Sequence, residues 1–98
     1  GIETLLPLSL ELYHNGSVTL ETIIKALTSS PAKILKINKG NLSIGNDGDF
    51  CIVDINKPWV VKKEKLISKS KNTPIEDKKL QGKVINTFVN GEELFKAE

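Results

Sequence analysis

The sequence predicts an α+β chain, with helices up to about residue 38 and antiparallel strands from about residue 39 to residue 98. Apolar residues recur at helical spacing in the first part and alternate with polar residues in the second. Near the end, the dipeptide Asn90-Gly91 separates two short apolar runs. Asn-Gly favours the positive backbone angles of a two-residue hairpin turn, so it indicates antiparallel pairing.

The first predicted helix runs from Glu3 to Tyr13 and should end at Asn15-Gly16, a pair that accepts left-handed backbone conformations. Pro7 is compatible with this helix within its first turn, where its missing N–H has no helical partner to lose. Apolar side chains surround the helix almost completely, and so short a chain has little with which to cover them. We therefore expect a partner layer outside these residues.

Two more helices are predicted before the strands. The second begins after the N-cap residue Thr19, and its apolar residues fall on one face, at Leu20, Ile23, Ile24 and Leu27. The third is short, with Ser30 as its expected N-cap, Pro31 as its first residue and Lys39-Gly40 as its end.

The strands are predicted from runs with a period of two. They are the run around Leu42 and Ile44, FCIVDI (Phe50 to Ile55), WVV (Trp59 to Val61), and a closing hairpin of Val84 to Val89 with Glu93 to Phe95. GNDGD, between the first two, is expected to be a tight turn. The polar stretch SKSKNTPIEDKKLQGKV, residues 68–84, is expected to be a long loop, and such loops are often functional.

Few side chains could form a catalytic site. His14 and Cys51 are the single histidine and the single cysteine of the sequence and are far apart in it, so they do not form a metal site. His14 is expected at the end of the first helix, where it suits the helix dipole. Cys51 should pack as a small hydrophobic residue, which suits a reducing cytoplasm. Neither Ser68, Ser70 nor Cys51 has a candidate base nearby in sequence.

Charged residues do not select a function either. The carboxylates are candidate acids and bases, but no spacing selects a pair among Glu11, Glu21, Asp47, Asp49 and Asp54. The lysine-rich run from Lys62 to Lys79 is interrupted by acidic residues and has no aromatic residue to stack on a base, which is typical of a solvated loop. No apolar run has the length of a membrane helix. We expect neither a nucleic-acid nor a membrane partner.

Several motifs resemble those of dihydroorotases in the amidohydrolase superfamily. Gly1 to Thr4 is similar to a Gly-hydrophobic-Glu-Thr segment that leads into a helix, and Ser30 to Ala32 to an Asn-Pro-Ala or Ser-Pro-Ala segment. A later superfamily pattern consists of Lys-Gly, Ile-x-x-Gly, an Ala-Asp or Gly-Asp pair, and a strand ending in Asp. The resemblance runs through Lys39, Gly40, Ile44, Gly45, Gly48, Asp49 and Asp54. SKSKNTP, Ser68 to Pro74, is similar to a segment of bacterial dihydroorotases, although Ile75 follows it where the family usually has Phe.

The resemblance implies the C-terminal segment of a dihydroorotase. Residues 1–38 would be the final helices of a (β/α)8 barrel, and residues 39–98 would be antiparallel strands of the adjoining composite β-sandwich. The implied activity is the interconversion of N-carbamoyl-L-aspartate and dihydroorotate in cytoplasmic de novo pyrimidine biosynthesis, with zinc as the cofactor. The family's metal ligands and catalytic residues precede the position of Gly1. No catalytic, substrate-binding or metal-binding residue is therefore assigned, and the segment alone is expected to be inactive and to bind no zinc.

The resemblance also implies two partners, the remainder of the same enzyme and aspartate carbamoyltransferase. An uncovered apolar helix face and an open sheet edge predict further copies in a homo-oligomer. The polar loop would run over the barrel, with Asn72 and Thr73 hydrogen-bonded to backbone groups and Pro74 holding it extended. The alternative for this stretch is a flexible loop without such contacts. Three alternatives stay open at this point. They are another cyclic amidohydrolase (a dihydropyrimidinase or an allantoinase), a non-catalytic dihydroorotase-like scaffold subunit, and an independent binding module.

Overall fold

The computed structural model describes residues 2–28, 31–66 and 76–97. Two helices, α1 (Ile2–His14) and α2 (Leu20–Leu27), precede five strands: β1 (Lys33–Asn38), β2 (Asn41–Gly45), β3 (Phe50–Val60), β4 (Lys79–Val89) and β5 (Glu92–Lys96). One turn of 3-10 helix, Lys63–Lys65, follows β3. The strands form one antiparallel sheet in chain order, β1-β2-β3-β4-β5. The predicted α+β class is confirmed.

Helix α1 ends where the sequence predicts. The N–H of Ser17 donates to the carbonyl of Leu12 at 2.9 Å and the N–H of Gly16 to that of Tyr13 at 3.0 Å, the two bonds of a Schellman motif. Gly16 has the required positive φ, 82°. Pro7 lies in the second turn, so the expectation that it falls in the first turn is wrong. Its ring is buried, and this burial offsets part of the cost of the lost helical hydrogen bond.

Helix α2 has the predicted cap and the predicted apolar face. The hydroxyl of Thr19 accepts the backbone N–H of Thr22 at 3.2 Å. Ile23 and Ile24 are buried, and Leu20 and Leu27 are partly buried against the same cluster of side chains. The helix therefore covers the sheet with one side and presents its charged residues to the other.

The main core lies between the two helices and one face of the sheet. Its buried members are Leu6, Leu10, Ile23, Ile24, Leu42, Ile44, Cys51, Val53, Ile55 and Val84. Val61, Leu66 and Leu80 form a second, smaller cluster, against which Leu8 and Trp59 pack. The side chains that alternate with the core residues along the strands point to the opposite face of the sheet, which we call the outer face.

The predicted third helix is wrong. Residues 33–38 form strand β1, in which Ile34 pairs with Ile44 of β2. Lys39 and Gly40 form the turn of this hairpin with φ values of 39° and 90°, instead of ending a helix. A run of 6 residues is too short for its period to distinguish helix from strand, and pairing with β2 decides the outcome. The sheet thus begins at Lys33 rather than after residue 38, and Ser30 lies outside the described residues.

Strand β3 joins the two strands predicted at Phe50 to Ile55 and Trp59 to Val61. It runs to Val60, but its pairing with β4 is interrupted between Asp54 and Pro58. The interruption explains the apparent gap in the sequence pattern, because the alternation is lost where the ladder is irregular.

Strand β4 begins earlier than predicted, at Lys79. The residues from Lys79 to Gly82 were expected to belong to the polar loop, yet Leu80 is buried and this part of β4 pairs with residues 58–60 of β3. Residues 67–75 lie outside the described part of the chain, and with them the expected roles of Asn72, Thr73 and Pro74.

The closing hairpin is confirmed. Asn90 and Gly91 have φ values of 51° and 78°, as a two-residue turn of this kind requires. On either side of them Val89 pairs with Glu92, and Thr87 with Phe95.

Candidate functional site

His14 connects the end of α1 to the irregular part of β3. Its Nε2 lies 2.8 Å from the carbonyl oxygen of Ile55. A carbonyl oxygen accepts and does not donate, so Nε2 carries the proton in this bond. Ile55 falls where pairing between β3 and β4 is interrupted, and the imidazole supplies its carbonyl with a donor there. The predicted position in the last turn of α1 is confirmed, and the contact indicates a structural role.

Cys51 packs in the core, as predicted. Burial raises the pKa of its thiol to about 11. The thiolate is the nucleophilic form of cysteine, and at neutral pH very little of it forms when the pKa is so high. Cys51 is therefore a poor candidate for nucleophilic catalysis.

The predicted candidate carboxylates each occupy a separate environment. Asp54 accepts the backbone N–H of Asn56 at 3.0 Å, and Glu11 lies 3.7 Å from the ammonium group of Lys78. Glu21 is in the first turn of α2, and Asp47 is exposed in the β2–β3 turn. Asp54 thus stabilises a loop, Glu11 belongs to an ion pair, and Glu21 complements the start of a helix. These carboxylates do not pair with one another as an acid and a base.

Asp49 has a role that the sequence did not suggest. Its carboxylate accepts the backbone N–H of Asn90 at 2.8 Å, and the N–H of Gly91 donates to the carbonyl of Gly48 at 2.9 Å. The turn GNDGD is thus hydrogen-bonded to the Asn90-Gly91 turn. The Gly48-Asp49 pair that carries part of the family resemblance has a structural function here.

The described residues offer no metal centre. Within residues 2–28, 31–66 and 76–97, no three side chains of His, Cys, Asp or Glu are grouped so that they could hold a metal ion. Ser68 and Ser70 lie outside these ranges. The zinc implied by the resemblance therefore does not fit the residues described, and no catalytic step is assigned to them.

The burial of Glu3, a residue of the motif at Gly1 to Thr4, was not predicted from the sequence. This residue is 8% exposed and lines a cavity of about 490 Å³ that is also bordered by Trp59, Lys83 and Phe95. The signal in the sequence is its spacing, since Glu3, Leu6 and Leu10 fall on one face of α1.

Two apolar surfaces are left uncovered. On α1, one stripe consists of Ile2, Leu5 and Leu12, of which Leu5 is 51% exposed and Leu12 48%. On the outer face of the sheet, Leu35 is 59% exposed, and the rings of Phe50 and Phe88 stack at a centroid distance of 4.6 Å. We call these surfaces the α1 stripe and the outer face. Apolar surfaces on opposite sides of a small domain are typical of interfaces.

The fold and the motifs define a family. The chain belongs to the amidohydrolase family, whose model matches residues 2–94. Its relatives include the dihydroorotase of Ehrlichia chaffeensis, 45% identical over 98 residues, which are 100% of this chain and 22% of the relative. The dihydroorotase of Anaplasma phagocytophilum is 44% identical over the same coverage. That of Aquifex aeolicus is 42% identical over 96 residues, 98% of this chain and 23% of the relative.

A solved structure shares the fold. The structure of a D-hydantoinase superimposes with a TM-score of 0.70 at 19% identity, over 98% of this chain and 21% of that one. At this identity the likeness concerns the fold alone. The chain spans about a fifth of the length of the proteins it matches, 22% of the Ehrlichia chaffeensis relative. In the described ranges, neither helix has the length and apolar character needed to span a membrane.

Proposed function

We propose that these residues form the C-terminal part of a dihydroorotase, which interconverts N-carbamoyl-L-aspartate and dihydroorotate in de novo pyrimidine biosynthesis. The observation that carries the proposal is the 45% identity with the dihydroorotase of Ehrlichia chaffeensis over all 98 residues. Similar identities to relatives from Anaplasma phagocytophilum and Aquifex aeolicus, 44% and 42%, support it. The likeness extends along the chain and does not depend on a single motif.

Zinc binding and proton transfer are assigned to the part of the longer protein outside these residues. The described residues supply no group of three metal ligands, and the thiol of Cys51 is buried. Zinc at such a site would act as a Lewis acid toward the cyclic amide. What the present residues contribute is a folded support, so the 98 residues alone are proposed to be inactive.

The two uncovered surfaces support the proposed architecture. In it, α1 and α2 are the final helices of a (β/α)8 barrel, and the α1 stripe packs against the rest of that barrel. The sheet belongs to a composite β-sandwich, whose other layer covers the outer face around Leu35 and the stacked Phe50 and Phe88. We propose a boundary between the two parts before Lys33, which the pairing of β1 with β2 supports.

The proposal extends to location and partners. A free, buried Cys51 suits a cytoplasmic protein. Uncovered apolar surface favours assembly with the rest of the enzyme, and a homo-oligomer is proposed on the same ground. Association with aspartate carbamoyltransferase is proposed from the family resemblance.

The experiment is a substrate comparison with the purified longer protein. Ring opening of dihydroorotate is measured beside that of dihydrouracil, allantoin and a hydantoin, before and after removal of zinc with a chelator. We expect dihydroorotate to be preferred, with activity lost on chelation and recovered when zinc is returned. Preference for another ring would identify a different cyclic amidohydrolase. Absence of all turnover, with co-purification of aspartate carbamoyltransferase, would identify a scaffold subunit.

A further inference from the structure

The cavity beside Glu3 is formed by three parts of the fold. They are the first turn of α1, the residues from Trp59 to Leu66 at the end of β3 and after it, and the paired strands β4 and β5. Its volume is about 490 Å³. Four lysines line it, Lys62, Lys65, Lys83 and Lys96, and we call it the lysine cleft.

The walls of the lysine cleft combine apolar side chains with the charged ones in nearly equal share. Leu66 and Val84 are buried, and Phe95 is half-buried. The indole N–H of Trp59 donates to the carbonyl of Gly82 at 2.6 Å, so the polar edge of this ring is satisfied within the protein. The ammonium group of Lys83 lies 5.5 Å from the centroid of the same ring. An apolar side chain that entered the cleft would remove its own surface and that of these walls from water.

The charges of the lysine cleft are unbalanced. Against the four lysines stand the carboxylates of Glu3 and Glu64. Lys62 forms an ion pair with Asp77, so Lys65, Lys83 and Lys96 face the carboxylates of Glu3 and Glu64. The lining thus keeps one net positive charge. An occupant that combines a carboxylate with a neighbouring apolar side chain would complement both the walls and the charge.

We propose that the lysine cleft receives a segment of the rest of the same longer protein, in which an acidic residue adjoins an apolar one. The inference rests on the proposed function, in which the preceding polypeptide enters at the start of α1, beside Glu3. The chain spans 22% of its relative from Ehrlichia chaffeensis, so most of such a protein lies outside it. A second copy docked symmetrically would bring together two linings of the same net positive charge, which disfavours that occupant.

The first test is a zero-length cross-link in the full-length protein. A carbodiimide joins a lysine ammonium group to a carboxylate that it contacts, and peptide mass spectrometry identifies both. We expect Lys65, Lys83 or Lys96 to be joined to an Asp or Glu outside these 98 residues. In a mixture of isotope-labelled and unlabelled protein, the joined peptides should come from one chain. Cross-links confined to Glu3, Glu64 and Asp77, or links between chains, would overturn the proposal.

The second test is charge reversal with a matched control. Lys65→Glu and Lys96→Glu should each lower the thermal unfolding midpoint of the full-length protein by about 2 °C or more. The difference should shrink in 1 M salt, because salt screens the interaction. Lys65→Arg should keep the midpoint while losing the cross-link at that position. The control is Lys57→Glu, at an exposed lysine that does not line the cleft. An equal effect of the control would show general charge balance and overturn the proposal.

Turnover measured on the same preparations separates the two proposals. Dihydroorotate turnover without the expected cross-links would overturn the cleft proposal alone. Cross-links to a segment outside these residues, in a protein that opens a different ring, would overturn the proposed activity and leave the cleft proposal standing.

Discussion

Gly82 lies where a side chain of α1 approaches strand β4 most closely among the contacts of this residue. A Cβ atom at this position would lie 2.6 Å from Cδ1 of Leu10, which is well inside contact distance. The backbone there has a φ of 111°, a conformation that residues with a side chain rarely adopt. Gly82 also accepts the indole N–H of Trp59. The contacts of both the main core and the smaller cluster thus depend on this glycine.

We predict that Gly82→Ala destabilises the protein by about 2–5 kcal/mol, the sum of overpacking and left-handed strain. Gly16→Ala is the matched control, because Gly16 has a φ of 82° but a Cβ there meets nothing within 4 Å. Gly16→Ala should lower the free energy of unfolding by about 1–2 kcal/mol, because it adds backbone strain without a steric clash. Urea unfolding of both variants measures the difference, and equal losses would contradict the role of the Leu10 contact.

Because Cys51 is buried, its thiol makes the free energy of unfolding depend on pH. The pKa of the thiol is raised from its ordinary value of 9.0 to about 11 in the folded protein. Between these values the unfolded chain loses the proton while the folded one keeps it. The stability linked to Cys51 is therefore complete below pH 9 and is lost as the pH rises through about 11.

The predicted measurement is a difference between wild type and Cys51→Ala, which cancels the titration of the lysines. The free energy of unfolding of the wild type should fall relative to that of the variant by on the order of 2 kcal/mol between pH 8 and pH 11. A difference that stays constant with pH would show that the thiol is not shielded from water. Alkylation at pH 8 should also be slow until the chain is unfolded.

At the scale of elements, Asp49 couples two hairpins that are distant in sequence. We predict that Asp49→Ala costs about 1 kcal/mol, because the N–H of Asn90 loses its acceptor. Asp49→Asn should retain most of the stability, since an amide oxygen accepts the same bond. Amide hydrogen exchange at Asn90 should accelerate in Asp49→Ala and stay unchanged in Asp47→Ala, where an exposed carboxylate of the same turn is removed. Acceleration in both variants would contradict the specific bond.

The elements also show which features could be predicted from the sequence. The end of α1, the cap of α2 and the Asn90-Gly91 turn depend on local signals, and the structure confirms each. Strand β1 and the first residues of β4 depend on partners elsewhere in the chain. Residues 33–38 have no decisive period, and the start of β4 at Lys79 is polar in sequence, so pairing with β2 and β3 decides both.

The candidate site was less predictable than the fold. The lysine cleft combines residues from α1, from the end of β3 and from strands β4 and β5. Lys62 and Lys65 belong to the lysine-rich run that is interpreted as a solvated loop, and nothing local connects Lys65 with Lys96. The resemblance correctly identified the family but assigned no residue in this chain, since it places the chemistry elsewhere. Residues that come together only through tertiary packing show no periodic pattern in the sequence, so such a site is not predicted from it.

At the scale of the whole molecule, the α1 stripe and the outer face determine whether the isolated chain associates with other copies of itself. Leu5 and Leu35 are 51% and 59% exposed and belong to different surfaces, so one partner layer does not cover both unless it wraps around the domain. Strands β1 and β5 are, moreover, the two edges of the described sheet. Exposed edges and apolar faces both favour association between copies.

We predict that the isolated 98 residues associate in a concentration-dependent manner and have no dihydroorotase activity. Co-expression with the remainder of the longer protein should restore zinc-dependent turnover and reduce self-association, because the α1 stripe and the outer face are then covered. Sedimentation measures the association, and ring opening of dihydroorotate measures the recovery. Leu5→Glu, which places a charge on the α1 stripe, should weaken recovery more than Glu21→Gln on the exposed side of α2. Turnover by the isolated chain above a buffer control would contradict the assignment of the catalytic groups, and a stable monomer would contradict the assignment of the two surfaces.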